Sequence, residues 1–250
     1  METTNIILNE SLYDKTTPYS LLTWVRVILA NRLASNGEEW TSIFKKENSG
    51  TYNNQYMILD LNLIDLKKKI IPKKSLMIIE QIPGETVVND VTDVLKKGYW
   101  PSYNIPYSDY LYKKCGFIET LNESSLIPNY DYNNCSRARI FRREQEKIKD
   151  IEGFKNMMRY NDYQNDPESY NEPSLTIACR YDLRYELNRQ ACYGATDVKF
   201  ASVKELLEGK NNMHIISGPT NERQPTFSWS NTTCENYSVD RYYHEGLPET

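Results

Sequence analysis

Two adjacent carboxamides, Asn53 and Asn54, follow a Gly turn in Ser49-Gly-Thr-Tyr-Asn-Asn-Gln-Tyr-Met-Ile-Leu-Asp-Leu61 and stand at the mouth of an apolar, strand-like run. Asn is a poor strand former, and its carboxamide is costly to bury without partners. A pair at this position therefore serves either turn geometry or as donors aimed at a substrate. Asn161, in Arg159-Tyr-Asn161, and Arg180, ending Ile177-Ala-Cys-Arg180, add further donors. An Arg closing an apolar segment needs a partner or a substrate anion. Carboxamide donors and a guanidinium together suit an oxyanion hole and a charge clamp for acyl transfer, although each also has an ordinary structural role open to it.

Other chemistries are poorly supplied. The only histidines are His214, in a strand-like run, and His244, beside Glu245-Gly246, so neither a Ser–His–Asp triad nor a zinc site is expected. No Walker loop or Gly-rich dinucleotide fingerprint is present, and no cofactor is implied. Arg137, Arg139, Arg142 and Arg143 are followed at once by Glu144, Glu146 and Asp150, which reads as a solvated helical face rather than a nucleic-acid site. Glu80 and Asp93 are single carboxylates and carry little information. The five cysteines form no CxxC pair, and their odd number leaves at least one thiol free within the chain. Cys179 and Cys192 are disulfide candidates, with buried, inert thiols as the second reading.

The elements that must position these groups follow from patterning. The 250 residues carry a net charge of −4 and a mean hydropathy of −0.68. These values give no general pull towards nucleic acid, and the longest apolar runs are far too short to span a bilayer. Ile6 to Leu8 reads as a short strand. A helix follows Ser20, with Leu21, Val25, Ile28, Leu29 and Leu33 as its core stripe and Asn36-Gly37 as its cap. A second helix around Trp40 and Phe44 precedes strands over residues 55–63 and 74–82, the latter stopped by Pro83-Gly84. Residues 90–97 form helical turns. Residues 98–107, with two prolines and four aromatics, form an ordered, packed loop. Residues 136–158 are helical with a break at Gly153, and residues 174–181 and 213–216 read as strands. No repeat or linker interrupts the chain, so residues 1–250 read as one α+β domain.

Several motifs closely resemble the phospholipase B-like proteins. They are Gly50-Thr-Tyr-Asn-Asn-Gln-Tyr56, Glu80-Gln-Ile-Pro-Gly84, Thr92-Asp-Val-Leu-Lys-Lys-Gly-Tyr-Trp-Pro-Ser-Tyr-Asn104 and Arg137-Ala-Arg-Ile-Phe-Arg-Arg143. Met158-Arg-Tyr-Asn161, Asp166-Pro167, Arg180-Tyr-Asp-Leu183 and Ser217-Gly-Pro-Thr220 continue the match in order. The resemblance implies an N-terminal-nucleophile hydrolase with a four-layer αββα sandwich, incomplete here. Its expected substrate is an ester or amide bond of a lipid. A self-cleaved precursor exposes a Cys whose own α-amine is the base. That Cys is expected upstream of Met1, so the chain reads as most of the post-cleavage portion, truncated at both ends and inactive alone. Asn53 or Asn54 would then supply the oxyanion donor, Asn161 a second polar group, and Arg180 the clamp.

The family further implies a lysosomal or secreted glycoprotein with a signal peptide upstream and the N-terminal fragment of its own precursor as partner. Sequons at Asn9, Asn122, Asn134, Asn231 and Asn236 fit that setting. The Cys179–Cys192 pairing fits an oxidising compartment. A non-catalytic glycoprotein that keeps the scaffold without the chemistry is the alternative.

Overall fold

The computed structural model describes residues 1–123, 130–192, 194–229 and 232. They belong to a mixed helix-and-sheet protein whose contacts group into two compact units, Met1–Asn133 and Asn134–Thr250.

Unit one is built on an antiparallel sheet of order β1 (Glu2–Thr4), β2 (Asn54–Leu59), β3 (Leu76–Ile82) and β4 (Glu85–Asp90). β3 is buried along its whole length, which explains its unbroken apolar start Leu76-Met-Ile-Ile79. Two-residue alternation divides the sheet into two covered faces. On one face, Tyr56 and Ile79 meet Trp40 and Phe44 of α2 (Gly37–Phe44) and Ala30 of α1 (Thr23–Leu33). On the other, Leu76 and Ile78 meet Val91, Trp100 and Tyr107. The Pro-rich loop of residues 98–107 is indeed packed, with Tyr103 and Ile105 buried. Glu80 anchors it: its carboxylate accepts from the backbone N–H of Tyr107 (2.7 Å) and Ser108 (2.8 Å) and from Gln55 Nε2 (2.9 Å). Burial pushes the Glu80 carboxyl above its ordinary range. The helices α3 (Thr92–Leu95), α4 (Asp109–Lys114) and α5 (Phe117–Glu123) complete the unit.

Several expectations change here. Ile6 to Leu8 is not a strand, because the chain leaves the sheet after Asn5 and Ile6 donates instead to the Asn104 carbonyl (3.2 Å). The expected core stripe of α1 faces outwards. Leu21, Ile28, Leu29 and Leu33 are exposed, whereas Thr23, Arg26 and Ala30 are buried. The rotation is set by the Arg26 guanidinium, which donates to the carbonyls of Leu21 (3.0 Å) and Phe44 (2.8 Å) and to Gln81 Oε1 (2.5 Å). Asn36 caps the start of α2, its side chain accepting from Glu39 N (2.9 Å), rather than the end of α1. β4 was not foreseen, although the Pro83-Gly84 turn, with Gly84 at φ +78°, is the signal for a hairpin.

Unit two opens with α6 (Ser136–Glu144) and α7 (Ile151–Met158). The helical break lies before Asp150, not at Gly153. Gly153 instead sits inside α7 and donates its N–H to the capping Asp150 Oδ1 (2.7 Å). Residues 174–181 are irregular rather than a strand, with only an isolated bridge between Arg180 and Gly194. β5 (Asp197–Phe200) and β6 (His214–Ser217) form a separate antiparallel pair, with α8 (Val203–Leu207) between them in sequence. His214 is exposed and stacks on Phe200 with ring centroids 4.8 Å apart. His244 lies outside the described residues.

Candidate functional site

The Gly50 turn delivers the first pair of carboxamides. Gly50 has φ +67°, and a Cβ there would stand 2.8 Å from Thr16 Oγ1, so only glycine fits. Asn53 Nδ2 donates back to the Gly50 carbonyl (2.9 Å), and its Oδ1 accepts from Gln81 Nε2 (3.2 Å). Gln81 in turn holds Arg26, so Asn53 is wired through two buried residues to the core of α1. Asn54 differs. It is fully buried, its Nδ2 makes one long contact to the Tyr56 hydroxyl (3.3 Å), and its Oδ1 has no partner among the described residues. Tyr56 OH donates to the Tyr52 carbonyl (3.1 Å), and burial raises the Tyr56 pKa well above that of free tyrosine.

Beside this turn lies a cleft of about 440 Å³ lined by residues that include Asn5, Tyr13, Thr16, Tyr52 and Asn53. Asn5 donates its N–H to the Asn53 carbonyl (2.8 Å), while neither polar atom of its buried side chain has a partner among the described residues. Asn5, Gln81 and Arg26 were not singled out in the sequence. Their roles depend on contacts across up to 55 residues of chain, which no local pattern encodes.

Unit two holds Asn161 and Arg180 around shared backbone. Asn161 Nδ2 donates to the carbonyls of Pro173 (3.0 Å) and Ala178 (2.8 Å), and Arg180 N donates to Pro173 O (2.9 Å). The Arg180 side chain is almost wholly buried and makes four hydrogen bonds. Nε and Nη2 form a fork with Asp182 (2.8 and 2.6 Å), and Nη1 donates to the carbonyls of Thr220 (2.6 Å) and Pro225 (2.9 Å). The Arg-rich helix also makes directed pairs. Arg143 is bidentate with Asp166 (2.9 and 2.6 Å), and Arg139 meets Glu168 (3.0 Å). Arg159 is buried against Glu222. Burial alone would raise the Glu222 carboxyl, but Arg159 and the Thr220 hydroxyl hold it down to about 2.

The expected Cys179–Cys192 disulfide is not formed. Cys179 is a free thiol, and Cys192 is disulfide-bonded elsewhere. Backbone geometry accounts for this: Ala195 N bonds the Cys179 carbonyl (3.0 Å), so residue 179 lies opposite Gly194-Ala195 rather than Cys192. Burial raises the Cys179 thiol pKa and pushes Cys115 up to about 12, while Cys135 is also buried and stands outside any disulfide. Asn9 and Asn134 are exposed. The side chain of Asn122, and Asn231 and Asn236, lie outside the described residues. No group of His, Cys, Asp or Glu is set to hold a metal among the described residues, and no helix there is long and apolar enough to cross a membrane.

A sequence profile described as Phospholipase B matches residues 1–250. The chain belongs to the phospholipase B family. It is 42% identical over 251 residues to "Phospholipase-B 81" of Drysdalia coronoides and 41% identical over 251 residues to "Phospholipase B-like 1" of Bos taurus. It is 40% identical over 255 residues to "Phospholipase B-like protein C" of Dictyostelium discoideum. Each alignment covers 100% of this chain and 43%, 43% and 44% of the respective relative, so the chain spans less than half the length of these proteins. Membership explains why the ordered motifs run from Gly50 to Thr220. The names of the relatives support a hydrolase family acting on lipids.

Proposed function

We propose that this chain forms part of a lipid acyl hydrolase of the N-terminal-nucleophile type, acting on ester or amide bonds. The observation that carries the reading is Asn54, a wholly buried carboxamide at the glycine turn where the family motif lies: its Nδ2 makes a single long contact, which leaves a second N–H to donate, and its Oδ1 has no partner among the described residues. An unpaired buried polar atom costs about 1–3 kcal/mol, and proteins keep such atoms where function uses them. Asn53 is tied at both ends, so Asn54 is the better oxyanion donor and Asn53 the residue that sets the turn. Asn161 and Arg180 shape the backbone of their own segment, and Arg180 acts by positioning because four of its five N–H donors are held by Asp182 and two backbone carbonyls.

The nucleophile is a Cys outside this sequence. Among the described cysteines, Cys115 and Cys135 are buried thiols, Cys179 is a partly buried thiol, and Cys192 is in a disulfide. The four-layer αββα arrangement, the partnership with the N-terminal fragment of its own precursor, and a lysosomal or secreted location belong to this reading. Exposed sequons at Asn9 and Asn134 support the location.

The test uses the full-length gene product, with fatty-acid release from phospholipid as readout. Alkylation of the N-terminal thiol should abolish release, and Asn54→Ala should lower kcat by about a hundredfold to a thousandfold, as for loss of one oxyanion donor. Release that survives both treatments would refute the assignment.

A further inference from the structure

The connection from β2 to β3 carries a feature that the hydrolase chemistry does not use. Its segment Ile64-Asp-Leu-Lys-Lys-Lys-Ile-Ile-Pro-Lys-Lys74 holds five lysines and one aspartate in a chain whose net charge is −4. The tip has a fixed shape. Asp65 and Ile70 exchange both backbone hydrogen bonds (3.0 and 2.9 Å), Lys68 N donates to Asp65 Oδ1 (3.0 Å), and Lys69 turns the chain at φ +55°. Lys67, Lys68 and Lys69 project from this turn. Lys67 and Lys69 make no side-chain ion pair among the described residues, and Lys68 has a loose one to Asp65 at 3.5 Å. Leu66 and Ile70 flank the lysines and are 44% and 48% exposed.

A solvated charge run needs no apolar flanks and no pinned backbone. This tip has both, which is the composition that seats in a headgroup layer: cations at the phosphates and aliphatic side chains at the acyl boundary. Nucleic acid fits less well, because single strands are held by aromatic stacking and the tip offers only Leu and Ile. We infer that the β2–β3 tip is a docking element for anionic phospholipid surfaces. Charge complementarity selects the lipid, Leu66 and Ile70 insert, and the hydrogen-bonded turn presents them already ordered. The inference deepens the lipid-hydrolase reading by stating how the protein reaches its substrate, and it rests on that reading for its biological sense.

Vesicle co-sedimentation of the full-length protein tests it without turnover. Vesicles of phosphatidylcholine with about one-third phosphatidylserine are compared with pure phosphatidylcholine, at low and high salt. The protein should bind the anionic vesicles, and salt should release it. At about fivefold per lysine, Lys67→Gln/Lys68→Gln/Lys69→Gln should weaken binding about a hundredfold. Leu66→Ser/Ile70→Ser should weaken it while the salt dependence persists. All five side chains are exposed, so thermal midpoints should stay at the wild-type value. Should a variant fail to fold, the wild-type comparison of the two vesicle types decides alone. Equal binding to both types overturns the inference, as does a lysine variant that binds as tightly as wild type. Retention on heparin or poly-uridylate without vesicle binding overturns it in favour of another polyanion. Lysine-dependent vesicle binding by a protein that releases no fatty acid upholds the docking element and defeats the hydrolase reading.

Discussion

Replacing Arg26 with Met tests the logic of unit one most directly. Arg26 is 2% exposed, and its guanidinium lies 4.5 Å above the Phe44 ring with no carboxylate partner among the described residues; its acceptors are two backbone carbonyls, two hydroxyls and the Gln81 carboxamide. Burial pushes its pKa down, so the cation carries a desolvation cost. In Arg26→Met that cost disappears, and the hydroxyls of Thr23 and Ser49 can bond each other across their present 3.2 Å. Phe44 O and Gln81 Oε1 are then left buried without donors, at about 1–3 kcal/mol each. The relief offsets part of this, and a net loss of about 2–4 kcal/mol is expected. With a slope of about 2 kcal/mol/M, the urea midpoint should fall by about 1–2 M. Trp40, stacked on Phe44 with centroids 5.0 Å apart, is the fluorescent reporter. Arg26→Lys keeps the charge without the fork and should also destabilise. A Met variant as stable as wild type would show that cation desolvation outweighs the five hydrogen bonds, and the account of the α1 rotation would fail.

Two further predictions concern unit two. Glu222 is held at about 2 against an ordinary 4.5, so its ionised form stabilises the fold above about pH 4.5 and that contribution is lost as pH falls towards 2. Thermal midpoints of Glu222→Gln and wild type should therefore converge on acidification across this window, and parallel curves would contradict the Arg159 pairing. Asn161→Ala leaves the Ala178 carbonyl without its donor, whereas Pro173 O keeps the Arg180 N–H. Chemical denaturation should register a loss of about 1–3 kcal/mol, and an unchanged midpoint would mean that the carboxamide is free to serve a substrate.

What could be read from the chain and what could not divide along a physical line. β3 was legible because a strand covered on both faces must be apolar throughout, and the packed loop of residues 98–107 because four aromatics cannot be left in water. The helix α1 was legible in place but not in rotation. Its sequence shows an apolar stripe, yet the side that turns inwards is decided by one guanidinium and acceptors 18 and 55 residues away. The same limit governs the carboxamides. Asn53 and Asn54 are chemically identical neighbours, and nothing local distinguishes a turn-setter from a free donor. Gln81, reaching across from β3, satisfies the Asn53 oxygen, while the Asn54 oxygen has no partner among the described residues. The difference between the two residues therefore resides in the sheet register that brings β3 beside the turn, not in the Asn-Asn motif.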